Sequence, residues 1–92
     1  MICKPLMLSD LAEFYIKKND IKDAIVVFCD TADDGGNKFM NEIKHDDHDY
    51  IFQDCIIIEG SYYELQKLIR KYHTKMPYLQ QYQNGECIDE NT

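Results

Sequence analysis

The run Ala24-Ile25-Val26-Val27-Phe28-Cys29, bounded by Asp23 and Asp30, is apolar at every position. A strand that shows one side to water alternates apolar with polar residues, so an unbroken run of this length reads as an interior strand covered on both faces. A second run, Tyr50 to Glu59, carries Ile51, Phe52 and Cys55-Ile56-Ile57-Ile58 and stops at Gly60; its β-branched content reads as a second interior strand. The two runs lie about 20 residues apart, long enough for a crossover over one face of the sheet, so a parallel pair is admissible.

Helical spacing surrounds these strands. Leu8, Leu11, Ala12 and Tyr15 recur at i, i+3, i+4 and i+7, which predicts a first helix over about 10–19 with Ser9 or Asp10 as its cap. Residues 30–37, DTADDGGN, have the Asp and Gly content of a turn. Phe39, Met40 and Ile43 predict a short helix within 38–49. Ser61-Tyr62-Tyr63-Glu64 matches a capping box, and Leu65, Leu68, Ile69, Tyr72 and Met76 continue as a helical stripe that ends before Pro77. In the tail, Asn84-Gly85 suits a type I′ hairpin between two short strands, with a helix to Tyr82 stopped at Gly85 as the competing reading. The expected fold is α/β or α+β: a small single-layer sheet with two interior strands flanked by helices, plus a C-terminal β-hairpin if that reading of the tail holds.

The 92 residues predict a single domain over 1–92, with 45% apolar residues and seven Tyr and four Phe to fill its core. Two Pro and four Gly leave little material for a linker. Lys4, Pro5, Ser9 and Asp10 interrupt the apolar start, so neither a signal peptide nor a membrane span is expected and the cytoplasm is the expected compartment. Cys3, Cys29, Cys55 and Cys87 show no C-x-x-C pair, and two lie in the strand-like runs, which predicts reduced thiols.

Net charge is −7, which argues against direct binding of nucleic acid. Residues 30–60 hold nine acids against Lys38 and Lys44, so the acidity is concentrated in the middle of the chain. Asp30, Asp33 and Asp34 follow a strand, where α/β proteins place ligands, but Ala32 and Asn41 occupy ligand positions that an EF-hand requires, and a solvated turn is the better reading. His45-Asp46-Asp47-His48-Asp49 has donor types suited to Zn²⁺ or Mn²⁺ without a third spaced ligand, so no metal or other cofactor is assigned. Cys29 and Cys55 sit in apolar runs that make a thiol less reactive, Ser9 and Ser61 read as caps, and no G-x-S-x-G, P-loop or G-x-G-x-x-G occurs. No catalytic residue is assigned and no enzymatic activity is expected. Lys67, Arg70, Lys71 and Lys75 form a basic helix edge that reads mainly as a solvated face.

What remains is an acidic segment with candidate exposed tyrosines on a small scaffold. Carboxylates can compete with phosphates for a basic groove and steer the encounter. The expected function is that of a small acidic inhibitor of a nucleic-acid-handling protein, contacting a protein partner's basic groove through Asp30, Asp33, Asp34, Asp46, Asp47, Asp49, Tyr62, Tyr63, Tyr78 and Tyr82. In size and charge the chain resembles phage-encoded anti-CRISPR and nuclease-inhibitor proteins, a likeness of composition alone. The alternatives are a homo-oligomeric or adaptor module, for which a homodimer is the simplest form, and a binder of a divalent metal or small ligand. No membrane contact is expected.

Overall fold

The computed structural model describes residues 6–45, 50–52, 54–74 and 77–91. Helix α1 (Leu6–Lys18) leads into strand β1 (Ala24–Phe28) and helix α2 (Asp34–His45). Strands β2 (Tyr50–Phe52) and β3 (Cys55–Glu59), helix α3 (Tyr62–Tyr72) and strands β4 (Tyr78–Gln83) and β5 (Glu86–Asn91) follow. The strands form one sheet in the order β2-β3-β1-β4-β5, and every neighbouring pair is antiparallel. The fold is therefore α+β.

Every residue of β1 is buried, as its unbroken apolar run requires. Val26 and Phe28 face one side, with Ala12 and Ile16 of α1, Cys55 and Ile57 of β3 and Tyr78 and Tyr82 of β4. Ile25 and Val27 face the other, with Phe39, Met40 and Ile43 of α2, Leu65 of α3, Ile56 and Ile58 of β3 and Leu79 of β4. Among the described residues one helix covers the first face and two cover the second.

Several sequence expectations need correction. Among the described residues the sheet has three interior strands rather than two, because β4 pairs with β1 on the side away from β3. The run 50–59 is a hairpin rather than one strand: Phe52 pairs with Cys55, and Asp54 takes φ 64 in the turn between them. That turn reverses the chain. β2 runs in the direction a crossover would give it, but β3, the strand that reaches β1, comes back antiparallel. Helix α1 begins at Leu6, which puts Ser9 and Asp10 inside it instead of at its cap. Residues 34–37 belong to α2 instead of a turn, and α3 ends at Tyr72, where His73 takes a left-handed C-cap with its amide donating to Ile69 O at 3.0 Å. The hairpin reading of the tail holds: Asn84 (φ 55) and Gly85 (φ 79) supply the two positive φ values of a type I′ turn.

The capping box at α3 is not formed. Ser61 makes no side-chain bond to a helix amide, and its hydroxyl lies 3.4 Å from Glu64 Oε2. Ser61→Ala therefore changes stability by less than about 0.5 kcal/mol, against the ~1 kcal/mol typical of a working cap. The denaturation midpoint checks this, and a loss above about 1 kcal/mol would mean that the cap forms in solution.

Candidate functional site

Two of the acids expected to form a partner surface, Asp30 and Asp33, are engaged in local structure. Asp30 Oδ1 accepts from the Ala32 amide at 2.9 Å, closing an Asx turn just after β1. Asp33 Oδ2 accepts from the Gly36 amide at 3.1 Å, the bond an N-cap makes to the first turn of a helix. Asp54 accepts from the Thr31 hydroxyl and ties this turn to the β2–β3 hairpin. Asp34 is exposed in the first turn of α2, where a negative charge complements the helix dipole. Asp46, Asp47 and Asp49, together with His48, lie outside the described residues.

The tyrosines separate by position. Tyr62 and Tyr63, at the start of α3, are 47% and 80% exposed. Tyr78 and Tyr82 are buried on the α1 face of β4, which corrects their expected place on the surface. Alternation along β4 puts both on the same side as Gln80, itself buried. The Tyr78 hydroxyl donates to Glu90 Oε2, and the Tyr82 hydroxyl lies 3.4 Å from Gln80 Oε1. The Glu90 bond raises the Tyr78 pKa above its ordinary value, whereas burial chiefly raises that of Tyr82, so both stay protonated donors at neutral pH.

On α3, the Lys71 ammonium is 3.5 Å from Glu42 Oε1 on α2. The Tyr72 hydroxyl and this ammonium hold the Glu42 carboxyl below its usual range. Lys71 therefore belongs to a helix–helix contact rather than to a free basic edge. Lys67 and Arg70 remain exposed, and Lys75 lies outside the described residues.

No protein-family model, curated protein or solved structure matches this chain. Among the described residues no group of three or more His, Cys, Asp and Glu side chains is arranged to hold a metal ion. Cys29 and Cys55 are buried thiols, and Cys29 donates to Gly36 O at 3.9 Å. Cys87 is on the surface, with its pKa raised by partial desolvation and the nearby Glu90 carboxylate, which makes it a poor nucleophile. No helix among the described residues is long and apolar enough to cross a membrane.

Two features that sequence reasoning did not single out stand at opposite edges of the sheet. At one, β5 carries Glu86, Asp89 and Glu90 with Ile88 53% exposed, and its outer side pairs with no strand among the described residues. The available signal was Asn84-Gly85, since a hairpin there turns Glu86–Glu90 into an outer strand. At the other, next to β2, a groove of about 340 Å³ is lined by Leu11, Phe14, Tyr15, Tyr50 and Phe52. Phe14 is 63% exposed there, and Tyr50 stacks obliquely on Tyr15 and Phe52 at ring-centroid distances of 4.5 and 4.1 Å.

Proposed function

We propose that this chain acts by binding rather than catalysis, as a small acidic inhibitor that occupies the basic groove of a nucleic-acid-handling protein in the cytoplasm, in the manner of anti-CRISPR or nuclease-inhibitor proteins. The observation that carries the reading is the outer strand β5, where Glu86, Asp89 and Glu90 are exposed on a chain of net charge −7 and no Lys or Arg shares the strand. Carboxylates on such a strand offer a basic groove fixed negative charge in place of phosphates and raise the association rate by steering. In this reading the partner contacts centre on β5 and the exposed tyrosines of α3, since Asp30 and Asp33 hold the β1–α2 turn.

The aromatic groove beside β2 favours a second reading, that of an adaptor or self-associating module, because exposed aromatic rings are enriched at protein interfaces. The two readings separate in one experiment. The immobilised protein is offered lysate of its source cells at low and high salt, with and without excess double-stranded DNA. The inhibitor reading expects a captured nucleic-acid-binding protein that both salt and DNA displace. Capture indifferent to both, or self-association alone, overturns it.

A further inference from the structure

The side chains of β5 do not all serve the same end. Glu90 accepts from the Tyr78 hydroxyl on the α1 face. The hydrogen bond to Glu13 chiefly raises the Lys17 pKa, and the charge of Glu86 adds to it in a smaller measure. Asp89 pairs with Gln81 and so stands on the opposite face, that of Ile25 and α3, where no ion pair reaches it among the described residues. There a groove of about 290 Å³ runs beside the strand, with Tyr62, Leu79, Gln81 and Asp89 in its lining. It combines an exposed ring, an amide and a carboxylate, which are the partners an alkyl cation takes: the ring for cation–π contact, the carboxylate for a charged hydrogen bond and the leucine for the methylene stem.

The outer edge of β5 is chemically selective. Two copies of the strand laid edge to edge would bring Glu86, Asp89 and Glu90 against the same three acids, and like charges across a strand pair are destabilising. The strand also bulges, since Tyr82 pairs with Cys87 but Gln81 with Asp89, leaving Ile88 as the extra residue. An acidic, bulged edge repels copies of itself yet leaves backbone donors and acceptors for a strand of opposite charge.

We propose that β5 and the groove beside Tyr62 form a docking site for an extended basic segment of a partner protein. The segment adds as a sixth strand along β5 and places one Arg or Lys side chain between the Tyr62 ring and the Asp89 carboxylate. This rests on the reading of the protein as a binder of basic partners and names the chemistry of the contact. A partner that handles no nucleic acid would satisfy the site equally, so the DNA-displacement experiment and the one below fail independently.

The probe is a synthetic peptide alternating Arg with Thr, beside an analogue with citrulline at each Arg, which keeps the shape and loses the charge. Affinity is read by fluorescence anisotropy, and the position by amide hydrogen exchange. The Arg peptide binds and protects β5 amides, the citrulline peptide binds about tenfold more weakly or not at all, and Asp89→Asn and Tyr62→Ala each weaken the Arg peptide about fivefold. Both side chains are exposed, so the variants keep the wild-type circular dichroism spectrum, and Phe14→Ala in the distant aromatic groove binds as wild type does. Equal binding of the citrulline peptide, unchanged affinity in both β5-side variants, protection at β2 in place of β5, or no binding of the Arg peptide overturns the proposal.

Discussion

Phe28→Ala lowers the unfolding free energy by about 3–5 kcal/mol, a large fraction of the ~5–15 kcal/mol that small domains possess. Phe28 is fully buried in β1, the middle strand, and its ring lies 5.2 Å from that of Tyr78. Truncation removes the transfer free energy of the ring and leaves a cavity. How far a cavity collapses decides where in this range the cost falls, and here collapse is resisted on both sides. Cys55 of β3 and Tyr78 of β4 are Phe28's register partners, so its backbone cannot shift without breaking a ladder. Denaturant unfolding checks the value: an unchanged slope with a lower midpoint is the expected pattern, and a loss under about 1 kcal/mol would place Phe28 outside the core.

Gly36→Ala destabilises by about 1–3 kcal/mol, opposite in sign to the general rule that Gly-to-Ala inside a helix gains up to ~1 kcal/mol. A Cβ at position 36 would stand 2.1 Å from the carbonyl oxygen of Asp30 and 3.0 Å from its carbon. That oxygen is backbone and already accepts from the Asp33 amide at 3.2 Å, so relief requires the turn and the start of α2 to move together. Gly35 meets the same restriction from another side, with Tyr72 O 2.4 Å from its would-be Cβ. The sign of the change, read from the midpoint, is the test. A more stable Gly36→Ala would mean that α2 does not press against the end of β1.

The sequence conveys the sheet's centre better than its periphery. Ala24–Cys29 and Ile56–Ile58 are legible because burial on two faces leaves no polar position, and Asn84-Gly85 is legible because few other pairs accept two positive φ values. Gly35-Gly36 misleads for a physical reason: glycine marks both a turn and a close approach of backbone to backbone, and only the distant partner, here Asp30 or Tyr72, distinguishes them. The β2–β3 turn carries no glycine, because Asp54 itself enters the left-handed region, so 50–59 reads as one strand. The site is legible in kind and not in place. Net charge says acidic, but whether a carboxylate caps a helix, as Asp33 does, or stands on an open strand, as Asp89 does, depends on the amides that tertiary structure brings near.

The pairing order of the sheet also bears on how the chain reaches this state. β1 is drawn from residues 24–28, yet its partners come from 55–59 and 78–82. Closing those long loops sacrifices chain entropy before the ladders form, whereas the β4–β5 hairpin closes over a two-residue turn and can form within about 1–10 μs. The most buried strand is thus among the last to be fully paired. During synthesis on a ribosome, its backbone edge toward β4 stays unpaired until residue 82 has emerged, which is the interval in which aggregation competes most strongly with folding.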